Sequence, residues 1–253
     1  APAGSLGADH ALDRLMRIRG LLFDKDGTLI DVNRTWVPIY RHILADIFDV
    51  DEQGATAMME KVGYDAATGS FRANSIIAAG TTRQLAEAWW PELDAAGIAE
   101  KTRMLDNDYT HMVTAALHPL LPLDPLLAEL RSMGMRLGVG TNDSHVSARS
   151  HMSHAGVLHH FDDIIGADTV PVAKPSGQMV RRFADITGLP TSAIAMVGDN
   201  PHDMEEARKG EAGLAIAVLS GNAAHGDIAH LADHTIDSIA DLPALLRSLQ
   251  HVL

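Results

Sequence analysis

The chain contains no cysteine, which removes disulfides, thiolate metal centres and cysteine nucleophiles together. Aromatic residues are scarce at 4%, so Leu, Ala, Ile, Val and Met must do most of the packing. Positive charge is also short: 20 Lys and Arg stand against 33 Asp and Glu, a formal net charge of −13. That balance argues against a nucleic-acid partner, whose phosphates need a positive surface, and against docking on anionic membranes. A small anionic substrate would meet an unfavourable global field, so a local cation has to reverse its sign at the site. No apolar run reaches the length of a membrane span, and residues 1–10 lack a signal-type apolar core. Cytoplasmic location is therefore the default expectation.

What is present is an ordinary globular composition, 46% apolar and 21% charged over 253 residues. That length suits one large domain, or a core carrying a smaller insert. The most informative stretch is Gly20-Leu21-Leu22-Phe23-Asp24-Lys25-Asp26-Gly27-Thr28. Leu21 to Phe23 reads as a buried strand, and it ends in two carboxylates one residue apart. On extended backbone Asp24 and Asp26 point the same way, with Lys25 between them pointing the other way as a structural residue. Two adjacent carboxylates repel unless a cation or a shared proton intervenes, which suggests a divalent metal site. A strand followed by a solvated Asp-Gly turn is the alternative reading.

From residue 34 to about 117 the segments 37–49, 54–62, 81–90 and 97–117 carry helical apolar spacing, with Gly- and Ser-containing breaks at 64–80. This predicts a helical insert. Three prolines at 119, 122 and 125 stiffen a return linker, and Asp124 is expected to cap the helix that follows. Strands and helices then alternate: strands at 135–140, 164–166, 193–197, 214–219 and 235–236, helices at 144–155, 176–187, 201–209, 223–231 and 239–249. Such alternation predicts an α/β fold, a Rossmann-like parallel sheet core with helices on both faces. Ligands of such sheets sit at the carboxyl ends of the strands. The expected division is a core of residues 1–33 and 118–253 around a helical domain of residues 34–117.

The other strand ends carry matching chemistry. The strand at 135–140 ends in Thr141-Asn142-Asp143, and the strand at 193–197 in Gly198-Asp199-Asn200-Pro201-His202-Asp203. Lys174-Pro175 follows the short strand between them. Taken singly, Thr141-Asn142-Asp143 would serve as a helix cap, Gly198-Asp199 as a turn and Lys174 as a surface lysine. All in chain order, each after an apolar strand, they gather carboxylates, a hydroxyl and an ammonium on one rim, a set that suits a metal-bound phosphate.

The succession Asp-x-Asp-Gly-Thr-Leu, Thr-Asn, Lys-Pro and Gly-Asp-x-x-x-Asp resembles the haloacid dehalogenase (HAD) superfamily, and residues 34–117 look like its type 1 helical cap. Two departures stand out. Ser176-Gly177 follows Lys174-Pro175 where a second proline is common, and Gly210-Glu211 replaces a frequent Ala-Gly. Neither removes a catalytic group. The resemblance implies Asp24 as nucleophile, Asp26 as general acid and base, and Mg²⁺ held by Asp24, Asp26 (through its carbonyl) and Asp199, with Asp203 supporting. It implies Thr141, Asn142 and turn amides near Gly27 as phosphate donors, with Lys174 offsetting charge. The acid at Asp26 points to phosphate-ester chemistry, which needs leaving-group protonation. Arg72, in a polar stretch of the insert, is the candidate contact to a second anionic group.

The expected activity is thus Mg²⁺-dependent hydrolysis of a small phosphorylated metabolite, of the phosphoglycolate phosphatase type. A phosphosugar mutase would use the same residues. A phosphoacceptor signalling domain would also place acids, Thr and Lys around a parallel sheet, but needs neither Asp26 nor a cap. A binding-only scaffold would not need every catalytic position filled. Among the 14 histidines, His151 and His154 share a helix face, read here as solvated. Oligomeric state and cap contacts are not legible.

Overall fold

The computed structural model describes residues 18–251; the expectations for residues 1–17 and 252–253 lie outside the described residues. Six parallel strands form one sheet: β1 (Gly20–Phe23), β4 (Arg136–Gly140), β5 (Asp163–Ile165), β6 (Ile194–Gly198), β7 (Leu214–Val218) and β8 (His234–Ile236). Their order is β5-β4-β1-β6-β7-β8, so β1 lies in the interior with β4 and β6 as neighbours.

Alternation along the strands sends side chains into two cores. Leu21, Phe23, Leu137, Val139, Ala195 and Val197 pack on one face with Leu127, Leu130, Met152 and Leu246. Leu22, Ile194, Met196 and Ala215 pack on the other with Met179, Val180 and Phe183. Both faces are covered, which is why these strands read as near-continuous apolar runs.

Between β1 and β4 lies the helical insert. It comprises α1 (Val32–Phe48), α2 (Glu52–Lys61), α3 (Ile76–Ala79), α4 (Thr82–Trp89) and the long α5 (Ala95–Ala116). Asp31 begins α1 by accepting from the Arg34 amide at 3.0 Å, and Thr81 with Gln84 forms a capping box on α4. The break at 64–80 is more ordered than its Gly and Ser content predicts: β2 (Tyr64–Asp65) and β3 (Ser70–Phe71) pair antiparallel there. Two-residue strands carry too little periodicity to be read from sequence. The insert has its own core, and every Trp and Tyr of the chain is in it.

The helix after the prolines, α6 (Leu123–Ser132), is preceded by Pro122 as N-cap residue, with Asp124 in its first turn. Asp124 instead accepts from His160 Nε2 at 2.8 Å, correcting the cap expectation. Three further helices matter for the site: α7 (His145–His154), α8 (Gln178–Thr187) and α9 (Pro201–Lys209). Among the described residues no helix is long and apolar enough to cross a membrane.

Candidate active site

Register alone brings the strand-end residues together. Phe23 pairs with Val139 on one side and Val197 on the other, so the residues just beyond them emerge on one rim. The Asp24 amide donates to Val197 O at 2.8 Å and the Thr141 amide to Ile165 O at 2.9 Å; these bonds carry the ladder past the strand ends and fix where both side chains start.

Asp24, Asp199 and Asp203, all buried, offer carboxylate oxygens within 4.8 Å of one another. Lys174 Nζ lies between two of them, donating to Asp24 Oδ1 at 2.6 Å and Asp203 Oδ1 at 2.7 Å. Burial pushes the Asp24 carboxyl from 3.8 up to about 7; Lys174 opposes this and the Asp203 charge adds to it. Asp199 is raised well above its ordinary value, by burial and then by Asp24 and Asp203. Burial works against a charged Lys174, but Asp203 and Asp24 override it and hold the ammonium protonated. Three carboxylates against one ammonium leave a deficit of two positive charges, and an all-oxygen donor set suits a hard divalent cation. The residues therefore fit a metal of the Mg²⁺ type.

Asp199 has little freedom to move. A Cβ on Gly27 would lie 2.4 Å from Asp199 Oδ2 and one on Gly221 only 1.8 Å from it. The Asn222 amide donates to the same oxygen at 3.3 Å. Asp203 is held as tightly: Oδ2 accepts from the Asn200 amide at 3.0 Å, closing a capping box on α9.

Asp26 stands apart from this acid cluster. Its Oδ1 accepts from Trp36 Nε1 at 2.6 Å and its Oδ2 pairs with Lys25. Lys25 does not turn away as an alternating strand residue would, because β1 ends at Phe23 and the chain bends at Lys25. It is fully buried, paired also with Asp143 at 2.9 Å, and its Nζ sits 5.2 Å from the Trp36 ring centre. Burial would lower its proton affinity, yet Asp143 and Asp26 raise it above the usual range.

Of three sequence-chosen phosphate or substrate contacts, Asn142 lines the pocket, whereas Gly27 and Arg72 are not among its lining residues. Both Asn142 side-chain N–H groups are engaged, with Ala79 O at 2.8 Å and Lys174 O at 3.1 Å, and its Oδ1 accepts from the Lys174 amide at 3.0 Å. It organises the lysine loop and meets the insert. The Gly27 amide donates to Ile30 O at 2.7 Å, so the glycine serves close packing on Asp199. Arg72 is exposed and does not line the site; its amide is tied to Gly63 O, and α3 supplies the wall instead. Thr141, by contrast, is buried in the pocket, and its Oγ1 only accepts, from the Asp143 amide, leaving its hydrogen free to donate.

The pocket closes between this rim and the insert. Trp36, Tyr40, Ile77, Leu85 and Tyr109 line it from above, and His202 from the core side. Burial holds the His202 imidazole below its usual range. His151, expected on a solvated face, is fully buried, its ring 5.9 Å from that of Trp36. Burial, with Lys25 adding, lowers it to about 3.

A sequence profile of haloacid dehalogenase-like hydrolases matches residues 18–210. The chain belongs to this family. Curated relatives include a phosphoglycolate phosphatase of Neisseria meningitidis, 31% identical over 49% of this chain and 53% of its own length. They also include the tyrosine-protein kinase PtkA of Mycobacterium tuberculosis, 29% identical over 74% of this chain and 57% of its own length. The chain spans about half the length of the curated relatives it matches. Among solved structures, CbbY from Rhodobacter sphaeroides in complex with phosphate has the same fold, with a TM-score of 0.66 at 20% identity over 89% of this chain and 96% of that one.

The two HAD departures noted in the sequence are one structural feature. A Cβ on Gly177, which has φ +83°, would lie 2.4 Å from the Gly210 amide nitrogen. Buried Glu206 accepts from the Gly177, Met179 and Val180 amides at 2.6, 2.8 and 3.3 Å, fastening the lysine loop to α9. Glu206, Trp36 and Tyr109 escaped the sequence reading, and Lys25, expected to point away as a structural residue, turns back to pair with Asp26 and Asp143. For Lys25 and Trp36 a signal existed: a lysine inside the first motif, and a rare tryptophan ten residues after Asp26.

Proposed function

We propose that this HAD chain is a phosphoric monoester hydrolase that cleaves a small phosphorylated metabolite through an aspartyl-phosphate on Asp24, with Mg²⁺ as its metal. The observation that carries this reading is Lys174 shared between Asp24 and Asp203, inside an acid cluster two positive charges short. An Asp24 oxygen attacks phosphorus, the phosphorus–ester oxygen bond breaks, and Asp26 gives its proton to the departing oxygen. A water then attacks phosphorus, Asp26 takes its proton, and the Asp24–phosphorus bond breaks to release phosphate. The balance consumes only ester and water.

Mg²⁺ held by Asp24 and Asp199, with the Asp26 carbonyl and Asp203 in support, would neutralise phosphoryl charge there. Thr141 would donate to a phosphoryl oxygen and Lys174 offset the charge of the nucleophile and transferring group. Residues 34–117 would act as the cap that excludes bulk water, over a core of residues 1–33 and 118–253, in a cytoplasmic enzyme. The volume open to water between them is about 50 Å³, a few waters' worth when one needs roughly 10–15 Å³. That favours a small ester over the nucleotide a kinase would have to seat. Phosphoglycolate, named for the relatives, is the first ester to assay.

The test is hydrolysis of a generic aryl phosphate with Mg²⁺. Chelation should abolish it, Asp24→Asn should be inactive, and a hexose phosphate should yield free phosphate with no isomer. Unchanged turnover in Asp24→Asn, or isomerisation without phosphate release, would overturn the reading.

A further inference from the structure

All three Trp and all three Tyr of an aromatic-poor chain are concentrated in the insert, and three of them face the reacting groups. The Trp36 ring stacks on Tyr40 at 5.5 Å and meets Tyr109 edge-on at 5.1 Å; Ile77 and Leu85 continue the same wall. Thr82, the remaining side-chain hydroxyl contributed there from α4, is committed to Asp106 at 2.7 Å. Among the described residues no cation reaches the pocket from the insert. The two ammonium groups near the site are each held by two carboxylates, Lys174 by Asp24 and Asp203, Lys25 by Asp26 and Asp143.

Into such a space a second negative charge would bring no partner. A carboxylate on the leaving group would lose its hydration against aromatic rings and face Asp26 and Asp143 across the pocket. The remaining polar atoms of this wall are the hydroxyls of Tyr40 and Tyr109, which interact with each other. Tyr109 is 2% exposed and lines the pocket, and its hydroxyl makes no hydrogen bond of good geometry. A tyrosine hydroxyl both donates and accepts, so the pair keeps capacity for one neutral polar atom of a ligand.

Resting on the phosphatase reading, we propose that the substrate is a small phosphate monoester whose leaving group is uncharged and largely apolar, with one neutral polar atom that meets the Tyr109 hydroxyl. This sets the chain apart from enzymes that hold a phosphorylated carboxylic acid. Discrimination comes from the missing cation as much as from the apolar contacts.

The experiment compares three esters with the Mg²⁺-loaded protein: phosphoglycolate, its isosteric neutral amide, and phenyl phosphate. The amide and phenyl phosphate should each exceed phosphoglycolate in kcat/KM by about tenfold or more, mainly through KM. Tyr109→Phe, which deletes one oxygen, should raise KM for the amide several-fold more than KM for phenyl phosphate. Phosphoglycolate turned over as well as or better than its amide would overturn the proposal while leaving the phosphatase reading intact. An equal effect of Tyr109→Phe on both neutral esters would overturn the assignment of Tyr109. Failure to release phosphate from any of the three, or from a generic aryl phosphate, would instead remove the phosphatase reading itself.

Discussion

Trp36 Nε1 donates to Asp26 Oδ1 across 2.6 Å, so a residue of the insert's first helix holds the carboxylate assigned to proton transfer. The bond makes Asp26 orientation depend on where the insert sits. Asn142, whose side chain donates to Ala79 O, is a second such link, from the rim to α3.

Trp36→Phe keeps most of the ring packing and removes the donor. Turnover of an aryl phosphate should fall about ten- to a hundredfold through misplaced proton transfer. Steady-state kinetics beside a thermal melt checks this; wild-type kcat would show that the bond does not position Asp26.

Lys25 is the buried link between Asp26 and Asp143. Lys25→Met leaves two uncompensated carboxylates and should cost about 3–5 kcal/mol of stability. Denaturant unfolding of Lys25→Met with and without Asp143→Asn tests the coupling: the second change should recover part of the loss, because it removes one of the stranded charges.

Gly221 gives Asp199 its room. Gly221→Ala would set a methyl 1.8 Å from Asp199 Oδ2, forcing the carboxylate away. The Mg²⁺ concentration needed for half-maximal activity should rise about tenfold or more, read from a metal titration at saturating ester.

Two buried groups give stability opposite pH slopes. The Asp24 pKa is raised in the folded state, from 3.8 to about 7, so folded protein holds a proton the unfolded chain has lost. Without metal this contribution falls as pH rises through that window. His151 is lowered from 6.5 to about 3, so its contribution is lost as pH falls through the same range. Asp199 and Asp106 are raised in the same sense as Asp24, so wild-type melts without metal should fall between pH 4 and 6.5; His151→Gln should steepen that fall and Asp24→Asn should flatten it. Stabilisation by added Mg²⁺ should grow from pH 5 to 7.5, since the metal competes with protons for Asp24. Melting curves of the three proteins across this range decide it.

The two positions where the chain departs from the usual family pattern illustrate the limit of reading along a sequence. Gly177 and Gly210 are far apart in the chain and each looks like a subfamily variation. In the fold they touch, because α8 and α9 start and end at the same place beside the lysine loop. Arg72 shows the converse: polar composition points to its stretch as a substrate contact, yet the side chain is exposed and not among the residues lining the pocket. His151 is buried because α5 packs on its helix, with the Tyr109 backbone oxygen 3.4 Å from His151 Nε2, a contact that spacing within one helix does not carry.

The sequence by itself determined the parallel sheet and which polar side chains follow its strands, Asp24, Asp26, Thr141, Lys174, Asp199 and Asp203, because strand periodicity and strand-end position are local properties. Only the tertiary structure decided what those residues touch. That Lys174 is divided between two acids, that Lys25 and Trp36 hold Asp26, and that an uncharged aromatic wall closes over the acidic rim all depend on contacts between segments distant in the chain. Such contacts are set by how the insert packs on the sheet edge, and residue spacing along the chain carries no record of that packing.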